Sequence, residues 1–167
     1  MPTEDTALVY PGMCLFEATN LSEGRGTTRP FEQVGAPWIE ANRLATALND
    51  QALPGVRFRA AHFLPTFWKH QDTMCHGVQV YVTDRDAFEP IMTGLTMIRQ
   101  ILEFWPEDFQ WIRLDHDTQY FFDRLIGNNG IRPQLNSYVS VEEIVDSYRN
   151  DEAMFREIRQ PFLLYDK

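Results

Sequence analysis

The chain has 167 residues, 44% hydrophobic, 13% aromatic and 23% charged, enough for one globular domain whose core needs no disulfide or metal staple. Acidic residues outnumber basic ones 24 to 15, and a formal net charge of -9 argues against nucleic acid or an anionic membrane surface as the main partner. No apolar run approaches the ~18 residues of a membrane span, the opening Met-Pro-Thr-Glu-Asp lacks the character of a signal peptide, and Cys14 and Cys75, paired or reduced, are too few to define a redox compartment.

The first twelve residues are polar and carry Pro2 and Pro11-Gly12, which predicts an extended lead-in. Residues 13–17 predict a short strand covered on both sides, with Met13 and Leu15 on one face, Cys14 and Phe16 on the other, and Glu17 closing it. Residues 19–29 predict a loop, where Gly24 and Gly26 stand among Asn20, Ser22, Thr27 and Thr28 ahead of Pro30. Pro37 opens a helix marked by Trp38, Ala41, Leu44, Ala45 and Leu48, ended by Pro54-Gly55. Residues 56–64 alternate Val56, Phe58, Ala60, His62 and Leu64 against Arg57, Arg59, Ala61 and Phe63, a strand pattern that Val78, Val80 and Val82 repeat. Next comes the clearest helix, with Asp86 as its cap, Pro90 in its first turn and a stripe of Phe88, Ile91, Leu95, Ile98, Leu102 and Trp105 before Pro106. Ser140 and Glu143 have capping-box spacing, with Val139 as a staple on Ile144. The helix they open runs through Tyr148, Phe155 and Ile158 to Pro161, with a break near Asn150, and residues 162–165 predict a closing strand. Strands and helices do not alternate regularly, so the expected class is α+β. The expectation is a single domain over residues 1–167 with a mixed or mostly antiparallel, partly barrel-like sheet and packed helices.

Chemistry concentrates in the polar loop after the first apolar run. Two glycines around Arg25 let the backbone turn sharply and present amides to an anion, while a guanidinium grips a carboxylate with two parallel bonds. The plainer reading is a turn whose Asn, Ser and Thr side chains satisfy their own backbone. Walker spacing and its lysine are missing and Pro30 follows in place of a helix, which argues against a nucleotide-phosphate loop. Glu17 and Glu23 are candidates for a carboxylate pair across a glycosidic bond, weighed against a Glu paired internally with Arg25, and a substrate hydrogen bond is the better role for them. His62, His70, Cys75 and His76, at spacings of eight, five and one, match no closed zinc pattern, so neither metal nor cofactor is expected. His62 reads as a core histidine on its strand phase and Cys75 as packing, while His116 between Asp115 and Asp117 reads as a solvated turn. Among the aromatics, only Phe67-Trp68-Lys69, between Pro65 and Gln71-Asp72, is placed to face a ligand such as a sugar ring.

The stretch YPGMCLFEATNLSEGRGTTRPFEQVGAPW, residues 10–38, closely resembles the opening of the C-terminal domain of the NamZ family, peptidoglycan exo-β-N-acetylmuramidases. Similar agreement comes from Val56-Arg57-Phe58, Pro65-Thr66, Cys75-His76-Gly77-Val78, Val82-Thr83-Asp84, Phe122-Asp123-Arg124-Leu125-Ile126-Gly127 and Phe162-Leu163-Leu164-Tyr165, while Ala18 stands where the family usually has glycine. The resemblance implies a cleft-lining domain whose N-terminal Rossmann-like partner, in cis or as a separate chain, supplies most of the catalytic machinery. It implies that this chain is inactive alone, and that its substrate is a muramic-acid-containing glycan of the bacterial cell envelope. It carries over Glu17, Thr19, Asn20, Ser22, Arg25, Gly26 and Thr27 as substrate-facing positions and assigns no catalytic residue here. A stand-alone carbohydrate- or carboxylate-binding module without catalysis is the alternative. A sticky structural remnant with an exposed apolar face is the bland one.

Overall fold

A computed structural model describes residues 1–114 and 119–165. β3 (Cys75–Val82) lies between β1 (Gln33–Ala36) and β2 (Val56–Phe63) in an antiparallel sheet of order β1-β3-β2. β2 and β3 pair from Val56 opposite Val82 to Phe63 opposite Cys75. The α+β class and the antiparallel sheet are as expected; the sheet is open rather than barrel-like. β1 escapes sequence reading because all four of its residues are buried, which leaves no alternation to detect.

Along β2 the buried face changes. Val56 and Phe58 are buried at one end and Ala61 and Phe63 at the other, with an unbroken register between them. Cover passes from one side of the sheet to the other without a bulge. His62 is therefore exposed, a correction to its expected place in the core.

Helix α2 (Ala41–Asp50) packs its buried Leu44, Ala45 and Leu48 against β2 and β3. Helix α3 (Pro90–Phe104) is the central helix, with Leu95, Met97, Ile98 and Ile101 fully buried and contacts to α2 and to three of the helices described below. Pro90 takes its first turn, where no intrahelical amide is lost. Asp86 does not cap it: Glu89 holds the cap position, and Asp84 Oδ1 accepts the amides of Asp86 and Ala87 upstream.

The N-terminus departs from expectation. Residues 4–13 form helix α1 (Glu4–Met13), capped by Thr3, whose Oγ1 accepts the Thr6 amide at 3.0 Å. Pro2 lies outside it, whereas Pro11 stands inside its last turn without ending it. A Cβ on Gly12 would meet the Pro90 carbonyl oxygen at 1.8 Å, a close approach that seats α1 on α3. The expected strand at 13–17 is instead a 3-10 turn (Cys14–Ala18) continuing from α1, since a short apolar run covered all round suits either geometry.

Helices α4 (Phe121–Ile126) and α5 (Ile131–Asn136) went unread because each is under two turns long. Ser140 caps α6 (Val141–Asp146) as expected, accepting the Glu143 amide at 3.2 Å. The break before α7 (Arg149–Arg159) falls at residues 147–148, and α7 has no buried residue. Residues 162–165 form no strand; a 3-10 turn (Gln160–Phe162) and an exposed end take their place. The Asp115-His116-Asp117 reading lies outside the described residues.

Candidate functional site

The loop after the 3-10 turn is pinned at several points. Asn20 Nδ2 donates to Asp108 O at 2.8 Å, and its Oδ1 accepts the Gln110 amide at 3.0 Å. Thr19 is buried, with its hydroxyl donating to Phe16 O at 2.9 Å. Ser22 is also buried, and its Oγ accepts the Gly24 amide at 3.2 Å. These three side chains are spent on the loop's own shape. Glu17, Arg25, Gly26 and Thr27 remain at least partly open.

An ion-pair web sits under the open residues. Arg25 NH2 lies 3.1 Å from Glu17 Oε2, and its Nε lies 3.0 Å from Glu23 Oε1. Glu23 Oε1 nevertheless accepts no hydrogen bond, because the Arg25 N–H is not directed at it. Glu23 Oε2 receives Lys69 Nζ at 2.8 Å, and the same ammonium donates to Phe16 O at 2.8 Å and Leu21 O at 2.9 Å. Glu23 is 1% exposed and Lys69 12%, whereas Arg25 is 38% exposed and lies over the Phe31 ring. Burial pushes the Lys69 ammonium below its usual range, against the opposing pull of Glu23. Lys69 therefore turns inward, a correction to its expected ligand-facing role.

Beside this web lies a depression of about 440 Å³, lined by Arg25, Gly26, Thr27, Phe31, Thr66 and Phe67 among others. The amides of Arg25 and Gly26 make no hydrogen bond among the described residues. Two loops meet here: Gly26 O accepts both the Thr66 amide at 3.1 Å and the Thr66 hydroxyl at 2.9 Å. Gly26 has φ 78°, and a Cβ there would come within 2.7 Å of Thr66 N and 2.8 Å of Phe67 N, so glycine is required. Trp68, His70 and Asp72 also adopt positive φ, at 73°, 55° and 56°. Left-handed backbone costs non-glycine residues roughly 1–3 kcal/mol each and persists where surrounding contacts enforce it. The Lys69 anchor, the Thr66–Gly26 contact and the Asp72 amide on Pro65 O at 2.8 Å provide that enforcement.

Sequence reading missed Phe31 and Thr66 as wall residues and Lys69 as the internal cation. Phe31 follows the loop directly, whereas Thr66 and Lys69 reach it from a turn some forty residues on that no local pattern announces. A second polar concavity, lined by Tyr120, Asp123, Arg124 and Arg132, is built on an Asp123–Arg132 pair at 2.9 and 3.1 Å with Arg132 over the Tyr120 ring. Its sequence trace was the Asp123-Arg124 step. His62 and His76, opposite each other on β2 and β3, bring Nδ1 to Nδ1 at 2.7 Å, one donating to the other. Among the described residues no group of three His, Cys, Asp or Glu is placed to hold a metal ion. Cys14 and Cys75 are free, and burial pushes the Cys75 thiol up to about 11. Among the described residues no helix is long and apolar enough to cross a membrane.

The chain is 50% identical over 165 residues to peptidoglycan β-N-acetylmuramidase NamZ of Bacillus subtilis (strain 168), a match that takes in 99% of this chain and 39% of that protein. It is similar in structure to a DUF1343 family protein of Bacteroides fragilis NCTC 9343, with TM-score 0.83, 28% identity, and 96% of this chain on 42% of that one. A second such protein from the same organism, at TM-score 0.67 and 23% identity over 99% of this chain and 42% of its own, shares the fold. The chain thus spans about two fifths of the length of these relatives. Residues 8–165 match the family described as exo-β-N-acetylmuramidase NamZ, C-terminal, and the chain belongs to that family.

Proposed function

We propose that this chain forms one wall of the glycan cleft of an exo-β-N-acetylmuramidase that acts on peptidoglycan fragments in the bacterial cell envelope. The other wall and the catalytic groups come from the Rossmann-like part of a NamZ-type enzyme, in cis or as a separate chain. Glu17 and Glu23 are poorly suited to be an acid–base pair across a glycosidic bond. They share one guanidinium, and Glu23 is closed off between Arg25 and Lys69. No catalytic residue is assigned to this chain.

The observation that carries the reading is the Arg25 corner of the depression. There a partly exposed guanidinium stands beside two uncommitted amides, at residues 25 and 26. N-acetylmuramic acid carries a lactyl carboxylate, an anion that such a corner recognises. The resident Arg25–Glu17 pair is partly solvated and worth little, so a substrate carboxylate can take the place of Glu17 at small cost. Gly26 and Thr27 complete the rim, while Thr19, Asn20 and Ser22 hold it in shape.

A chromogenic muramic acid glycoside tests the division of labour. The chain alone should give no turnover, and addition of the remaining part of a NamZ-type enzyme should restore it. Robust turnover by the chain alone would overturn the proposal. The free-standing corner also supports a second reading, a carboxylate- or sugar-binding module without catalysis. Micromolar calorimetric binding of muramic acid by the isolated chain, with no gain from the second part, would favour the module.

A further inference from the structure

The depression has an apolar side that the carboxylate reading leaves unused. Phe67 lines it, 54% exposed, and Trp68 follows at 67% exposed. Burying large aromatic side chains is favourable, so two neighbours left in solvent on a firmly held loop call for an explanation. The loop is not slack. Thr66 is bonded to Gly26 on one side of the aromatic pair, and on the other Lys69 is bonded to Glu23, Phe16 O and Leu21 O. The His70 ring nitrogen Nε2 lies 2.7 Å from Asn20 O, a further tie to the loop that carries Arg25. Positive φ at Trp68, His70 and Asp72 accompanies the anchoring contacts, so the chain accepts strain to hold these residues in place.

We propose that Phe67 and Trp68 form a pyranose-stacking subsite adjoining Arg25, on which the apolar face of a sugar ring rests while its acidic substituent, or that of the neighbouring ring, reaches the guanidinium. This deepens the cleft-wall reading and rests on it. The pairing of chemistries is what a glycan fragment requires. A pyranose offers a C–H face to an aromatic ring and hydroxyls to water, and its lactyl group alone carries charge. Phe67 supplies the apolar contact inside the depression, and Trp68 extends it along the loop toward the next ring. Rigidity matters energetically, because an aromatic already fixed in place loses little further freedom when a ligand arrives.

Saturation-transfer NMR on the purified 167-residue chain decides this, with N-acetylmuramic acid–N-acetylglucosamine disaccharide and neutral N-acetylglucosamine as probes. Phe67→Ala and Trp68→Ala lie on the surface, so unchanged melting will confirm an intact fold. Each should weaken both probes, by at least about tenfold for the disaccharide, the size expected when a central aromatic anchor is truncated. Arg25→Ala should weaken the acidic probe and leave the neutral one alone. Should the aromatic variants bind like the wild type while Arg25→Ala weakens the disaccharide, the stacking subsite is overturned and the carboxylate corner stands. The reverse pattern supports the subsite and removes the corner. No transfer from wild-type protein to either sugar at millimolar concentration overturns both.

Discussion

Two parts of this molecule treat exposed apolar surface in opposite ways. Around residues 17–32 and 65–73, exposed aromatics sit on backbone tied down by a buried ion-pair web, close loop-to-loop contacts and positive-φ residues. Along α7 the backbone is an ordinary helix whose ion pairs, Arg149–Asp146 and Arg156–Glu152, are short-range and exposed. Met154, Phe155 and Ile158 are 60%, 60% and 62% exposed, while Arg149, Glu152 and Arg156 line the groove toward the body. Charged and apolar side chains of this helix are exposed alike, and none is buried. Exposure alone therefore says little about a binding role; what separates the two regions is whether the chain accepts cost to hold the exposed side chains still.

The contrast breaks most visibly at Lys69. Lys69→Met leaves the Glu23 carboxylate buried with only the misdirected Arg25 beside it, and it strips the donor from Phe16 O and Leu21 O. Removing one partner of a buried pair costs about 3–5 kcal/mol, because the remaining charge has no water to turn to. Urea denaturation should show a loss of that order. A change below about 1 kcal/mol would mean that the web is not what holds the two loops together. Lys69→Met combined with Glu23→Leu should recover part of the loss, since a matched apolar pair carries no stranded charge.

How much of this was legible in the sequence follows from the range of each interaction. The α2 and α3 stripes, the two long strands and the Ser140 cap are local patterns, and the structure has them. Val56 and Phe58 announced β2 correctly, but His62 was misplaced because burial on that strand depends on which side the neighbouring layers cover. The N-terminal segment failed for a different reason. Pro2 and Pro11-Gly12 are local breakers, yet α1 starts after the first and runs through the second, and the close Gly12–Pro90 contact that seats the helix is invisible without the partner. At the site, Arg25 between Gly24 and Gly26 stood out by composition. Its engagement with Glu17 and Glu23, and the inward turn of Lys69 from a position 46 residues after Glu23, are long-range facts.

A smaller effect sharpens the same contrast through pH. Glu32 is buried where α1 meets the loop, and burial alone would raise its pKa. Hydrogen bonds from the Thr6 and Thr3 hydroxyls and from Arg29 outweigh that, so the carboxyl titrates below its usual 4.5. A folded pKa below the unfolded one means that the unfolded chain binds the proton first as pH falls. The stabilisation is present in full above about pH 4.5 and is lost as pH drops through the folded value. Stability measured from pH 7 to 2.5 should fall less steeply below pH 4.5 in Glu32→Gln than in the wild type. Parallel curves would detach this carboxylate from the acid limb.

The smallest effect belongs to α7, and its smallness is the point. Phe155→Ser and Ile158→Ser remove apolar side chains from a helix in which no residue is buried, so no cavity opens and no packed neighbour is lost. Surface changes of this kind stay within about 0.5 kcal/mol. Helix propensity shifts slightly, since Ser is about as good a helix former as Phe or Ile. The flanking Arg156–Glu152 contact is untouched. Equal urea midpoints for wild type and variants would establish that the exposed apolar residues of α7 contribute nothing to folding of this chain by itself. A loss above 1 kcal/mol would show that these residues are buried in solution, and the two regions would then differ less than their exposed surfaces suggest.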